Sequence, residues 1–211
     1  LERPDIASPD TPAYPILLLD CACQAISGGQ HAILNQLFIH DPSLIQNVAT
    51  KLQSECNTFS VGLLTETFEA QHTDMVRLLF EFGEIKALLP KIGLYVINHA
   101  VRSKHAAAVD FLLSFDEIQE HLNKPQKCYH SHTLLLAASA GDAYIFERLL
   151  TIGHLKQNLL TDISYMNAFR GKVQQTNAWT TAISAGHVNI ARIIFDRVSE
   201  AEKETLKQDT S

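Results

Sequence analysis

The sequence predicts an all-α solenoid of about five helix-turn-helix units with inserted helices and loops. Three observations point to it. A run of small and apolar residues, a turn residue and a second apolar run recurs five times in one register. Helix breakers are sparse, with 9 Gly and 7 Pro in 211 residues, and four of the prolines (Pro4, Pro9, Pro12, Pro15) cluster at the start. Hydrophobic residues make up 46% and charged residues 19%, a balance that builds a packed core.

In chain order, residues 1–15 read as an extended, Pro- and Asp-rich lead-in, residues 16–198 as the repeat array, and residues 199–211 as a polar terminal helix or tail. The units are clearest in Thr133–Leu150 and Trp179–Phe195. Weaker copies are Ala25–Phe38, Thr67–Phe80 and Ala100–Leu113. Their turn positions are Gly29, Gln71, Lys104, Gly141 and Gly186, at intervals of 42, 33, 37 and 45 residues.

Physical reasons underlie the pattern. Small residues such as Ala100, Ala137, Ala138 and Ala182 let a first helix lie close to its neighbours. Gly at the turn ends that helix, because left-handed geometry costs Gly least. Apolar residues at helical spacing, such as Ile145, Phe146, Leu149 and Leu150, then form a second helix. One hairpin cannot bury its apolar face alone, whereas stacked copies can.

The intervals accommodate further elements. Asp41–Ser54 reads as an added helix, with Asp41 at the N-cap, Pro42 at the first helical position, and Leu44, Ile45, Val48 and Leu52 on one face. Asp116–Leu122 reads as a shorter helix, and Leu155–Phe169 as another. Ser199 and Glu202 suit a capping box that opens the last helix.

The units resemble ankyrin repeats. Gly186-His187 resembles the family's Gly-His step, and Gln71-His72 and Lys104-His105 keep the His. Met75–Leu79 and Ile190–Ile194 are similar to the family's second helix, and Gly83 resembles the Gly that closes a unit. The resemblance covers roughly Ile16 to Arg197. No unit keeps the family's Thr-Pro start, and one interval alone equals its usual period of about 33 residues. Divergent, irregularly spaced units are similar to those of ankyrin effectors secreted by bacteria. This implies a cytoplasmic protein, in a host cytosol if the chain is such an effector.

The resemblance implies binding to a partner protein or peptide through a concave face and the inter-unit loops. The pairs expected to be exposed before the last four turns are Glu69-Ala70, Arg102-Ser103, Ser139-Ala140 and Ser184-Ala185. Loop positions carried over by register are Lys91, Lys127, Tyr129, His130, Gln174, Gln175 and Thr176. Arg102 and Tyr129 stand out, because Arg and Tyr are enriched at binding hot spots. The protein is expected to be monomeric.

Other chemistries find little support. The net charge is −6 with no basic cluster, which argues against nucleic-acid binding. No apolar run approaches a membrane span, and no basic segment followed by an apolar one opens the chain. Four cysteines give no disulfide framework, which fits a reducing cytosol. No cofactor is expected. Cys128, His130 and His132 form the one cluster that suggests a metal site or a Cys/His enzyme, the alternative function. No second ligand pair accompanies them, so contact with a partner or a structural role is preferred. His31, His72, His105 and His187 sit at or beside turns, where bonding to loop backbone is expected. Asp74, Asp110 and Glu147 read as a solvated face, and Trp179, the sole Trp, as core.

Overall fold

The computed structural model describes residues 14–58, 62–124, 133–153, 155, 159–160, 163–167 and 172–209, with the backbone alone for 56–58, 163–167, 172–175 and 205–209. The fold is mostly helical. It divides into two compact units, Leu1–Ile92 and Gly93–Ser211.

The first unit holds α1 (Tyr14–Ser27), α2 (His31–His40), α3 (Ser43–Thr58), α4 (Leu63–Glu69), α5 (Thr73–Glu81) and α6 (Gly83–Lys86). The next helix, α7 (Leu89–Arg102), straddles the division. Within this unit α1 packs on α2, α3 and α4, while α6 packs on α3 and α5. The added helix α3 begins at Ser43, one residue past the expected start at Pro42. Asp41 Oδ1 accepts from the Ser43 amide at 3.0 Å, and Leu44, Val48 and Leu52 are buried.

The second unit continues with α8 (Ala106–Leu112), α9 (Asp116–Asn123), α10 (Thr133–Ala140) and α11 (Ala143–Leu149). After a two-stranded antiparallel hairpin, β1 (Ile163–Asn167) and β2 (Lys172–Thr176), come α12 (Ala178–Ser184), α13 (Val188–Arg197) and α14 (Glu200–Asp209). Here first helices stack on each other, α10 on α12. Second helices do the same, α8 on α11 and α11 on α13.

The hairpin corrects one expectation. The apolar spacing of Leu155–Phe169 predicts a helix, but Ile163–Asn167 is a strand paired with Lys172–Thr176. Ile163, Tyr165, Val173 and Thr176 are β-branched or aromatic residues that favour a pleated surface. Pairing between the two segments outweighs a helical spacing of only a few apolar residues.

The five turn residues share one unusual conformation. Gly29, Gln71, Lys104, Gly141 and Gly186 have φ between 52° and 80°, and no other described residue has a positive φ. Four of the turns close identically. In the first, the Gly29 amide bonds Ile26 O at 3.1 Å, and the Gln30 amide bonds Ala25 O at 2.7 Å. Those two bonds are the Schellman closure, which satisfies carbonyls that a helix end leaves open. The next residue (Gln30, His72, His105 or His187) has φ −80° to −88° and ψ 70° to 77°, an inverse γ-turn that starts the second helix. The Gly141 turn differs. Asp142 is extended there, and its side chain caps α11 by accepting from the Ile145 amide at 3.0 Å. Gly83, read as a closing Gly, has no left-handed φ and opens α6.

Register also explains the core. The position four residues before each turn holds Ala25, Thr67, Ala100, Ala137 or Ala182, and all are buried. Small side chains there let first helices approach closely. Thr67 fits because its hydroxyl bonds back to Leu63 O at 2.9 Å. Second helices are as short as seven residues, too short to stand alone. Packing holds them. Met75, Val76, Leu79 and Phe80 of α5 are all buried, at roughly 1.5–3 kcal/mol for each large side chain.

Candidate partner-binding surface

Each first helix ends in a left-handed turn, so the residue two positions before the turn recurs in the same place. Glu69, Arg102, Ser139 and Ser184 occupy it and are all exposed. They close α4, α7, α10 and α12 respectively or precede that end by one residue. Ser103 is half-buried, and its amide bonds His99 O at 3.0 Å. The row within Gly93–Ser211 offers a guanidinium and two hydroxyls, suited to hydrogen bonding of backbone or acidic groups.

Four other expected contacts are placed differently. Lys91 is exposed but lies in the first turn of α7, not in a loop. The helix begins early because Leu89, Ile92 and Val96 bury one of its faces. Gln174, Gln175 and Thr176 belong to β2 and not to an irregular loop. Gln174 pairs with Tyr165, and Gln175 with Ser164. Thr176 is half-buried, and its hydroxyl lies 3.1 Å from Thr180 Oγ1 and 3.0 Å from Thr181 Oγ1. It therefore supports the start of α12, where Asn177 and Thr180 form a capping box. Lys127, Tyr129 and His130 lie outside the described residues, as do Cys128 and His132.

Burial shifts two titratable groups, His99 and Cys23. Burial, with the charge of Arg102 adding to it, pushes the His99 imidazole down to about 4. His99 is therefore neutral near pH 7, with its ring 4.3 Å from that of Tyr95. Burial pushes the Cys23 thiol up to about 11. Lys51 works against this, while Glu55, Asp20 and Glu66 reinforce it. A thiol held protonated is a poor nucleophile. Among the described residues, no three His, Cys, Asp or Glu side chains are grouped to hold a metal ion. No described helix is long and apolar enough to cross a membrane.

The acids read as a solvated face are partly engaged. Asp110 of α8 accepts from Tyr144 and Arg148 of α11, both at 2.5 Å. Glu147 of α11 pairs with Arg197 of α13 at 3.0 Å. Asp110 and Glu147 stand six residues beyond their turns, each joined to a cation on the following second helix. That shared spacing was a usable signal, since opposite charges recur on successive second helices. Ile183, exposed on α12, is a further surface residue that periodicity alone had not separated from core. Trp179 is buried as expected, with its ring 6.4 Å from that of Phe195.

No protein-family model matches the chain, and no curated protein matches its sequence.

Proposed function

We propose that this chain is an ankyrin-type interaction scaffold that binds a partner protein or peptide along its first-helix ends and inter-unit connections. One observation carries the reading. The five turn residues picked out by sequence register are the same five that adopt left-handed φ, each between a small-residue first helix and an apolar second helix. A repeated hairpin presents a row of variable, exposed residues on a fixed frame, which suits an extended peptide or a protein surface. The exposed Arg102, Ser139 and Ser184 form that row within Gly93–Ser211, and Glu69 holds the same register position in Leu1–Ile92. Cytosolic action, within a host if the chain is a secreted effector, belongs to the same proposal.

The test is cross-linking of the full chain in cell extract, followed by identification of captured peptides. The triple variant Arg102→Glu, Ser139→Arg, Ser184→Arg should lose the specific partner while keeping the parent's thermal melt. Retention of the same partner at the same affinity would remove this surface from the proposal. Stoichiometric zinc in purified protein, lost on Cys128→Ser, would replace a binding scaffold with a metal-centred function.

A further inference from the structure

We infer that a second copy of this chain stacks head-to-tail on the apolar outer face of the first helix pair.

Three positions behave alike. The residue eight before the turn is buried as Leu63, Val96, Thr133 and Ala178, but exposed as Cys21. The residue four after the turn is buried as Met75, Ala108, Ile145 and Ile190, but 53% exposed as Ile33. The residue eight after the turn is buried as Leu79, Leu112, Leu149 and Ile194, but half-buried as Leu37. The helix pairs that follow another within their own compact unit, those of Gln71, Gly141 and Gly186, bury these positions, and the first pair does not. These positions therefore form the face with which a unit receives its predecessor.

Two positions show the opposite behaviour. The residue three before the turn is buried as Ile26, Phe68, Val101 and Ala138, but 45% exposed as Ile183 in the fifth unit. The residue nine after the turn is buried as Phe38, Phe80, Leu113 and Leu150, but half-buried as Phe195. Within each compact unit they form the face with which a helix pair receives its successor. Lys203 of α14 lies over the Phe195 ring, 5.4 Å from its centroid, and covers part of this face. Ile183, on the neighbouring first helix, stays open.

Complementary halves of one junction thus stand open on a single chain. On the first pair, α1 and α2 frame a groove of about 540 Å³ lined by Tyr14, Leu18, Ile33, Leu37 and His40. Of the large hydrophobic residues exposed among the described residues, all but Tyr144 lie on the first or fifth helix pair. The stacking of α10 on α12 and of α11 on α13 supplies the template for the joint. Such a contact joins two different surfaces, so it extends a chain of copies and does not close a ring unless the rotation permits.

Sedimentation of the full chain over a wide concentration range tests this. The weight-average mass should rise past that of a dimer. Ile33→Asp and Ile183→Asp should each give monomer, because each removes one half of the joint. Mixed in equal amounts, the two variants should form a one-to-one dimer, since one intact half remains on each. A circular-dichroism melt checks that both variants fold, and Ile33→Ser replaces Ile33→Asp if the latter does not. A parent chain monomeric at hundreds of micromolar would overturn the proposal. So would a dimer lost with Ile33→Asp yet untouched by Ile183→Asp, which marks a head-to-head contact, or a mixture that stays monomeric. Capture of a partner protein is measured separately, so either result leaves the other reading standing.

Discussion

The imidazole of His187 lies against Gly141 of the preceding helix pair, and its Nε2 donates to the carbonyl of Ser139 at 2.9 Å. A carbonyl only accepts, so the proton sits on Nε2 in this arrangement. His72 lies over Gly29 in the same manner, where an added Cβ would come within 2.7 Å of Nδ1. Gly at these two turns thus has a second physical basis. Gly frees the turn, and its missing side chain makes room for the His of the following unit.

Gly141→Ala and Gly186→Ala should therefore differ. Both residues have left-handed φ, which costs a non-Gly residue about 1–2 kcal/mol. A methyl at Gly141 would also meet the His187 ring closer than 3.0 Å, whereas nothing stands near one at Gly186. Urea unfolding should show the larger loss for Gly141→Ala. In a His187→Ala background the excess should vanish. Equal losses in the two single variants would show that the ring carries no weight.

Gln71 and Lys104 hold the same left-handed conformation without being Gly. Lys104→Gly should raise stability by up to about 1 kcal/mol, with the Gly's greater freedom in the unfolded chain offsetting part of the gain. Gln71→Gly should gain less, because it also loses the bond from Gln71 Nε2 to Phe68 O at 3.1 Å. The shift in urea midpoint for each variant checks both values.

Asp110 gives a pH signature. Burial acts to raise its carboxyl, but the hydrogen bonds from Tyr144 and Arg148, with the charge of Arg148, outweigh it and hold the group below its ordinary value. A depressed folded-state value contributes stability above the unfolded-state value of about 3.9, which is lost as pH falls through the folded one. Asp110→Asn should unfold at lower urea than the parent at pH 7, by well under the strength of a buried pair because both partners are partly exposed. That difference should shrink below about pH 4. A constant gap across the acid range would sink the assignment.

Thr133 and Asn98 form a buried bond between first helices, Thr133 Oγ1 to Asn98 Oδ1 at 2.6 Å. Thr133→Val keeps the shape but leaves the buried amide oxygen without that donor. A loss of about 1–3 kcal/mol is expected in chemical unfolding, and Thr133→Ser should recover most of it.

Much of the local fold was legible in the residues. Small residue, turn, and apolar run at helical spacing located all five turns, because each is dictated by contacts within some twenty positions. Asp41 and Ser199 announced their helices for the same reason, since a cap is a local bond. The Ser199 amide donates to Glu202 Oε2 at 2.8 Å, as the spacing implied. The stretch Leu155–Phe169 misled, because the strand that competes for it, Lys172–Thr176, lies beyond the window over which helical spacing is read.

The sequence by itself determined where each hairpin turns and which face of each helix is apolar, since backbone sterics and side-chain periodicity act between near neighbours. Tertiary structure decided the rest. It chose which apolar residues find cover, burying Ile190 and leaving Ile33 exposed at the same register position. It tied Asp110 to Arg148 and His187 to Ser139, across 38 and 48 residues of chain. The reason is one of range. Burial and ion pairing depend on what the stacked neighbour presents, and no single repeat holds that information.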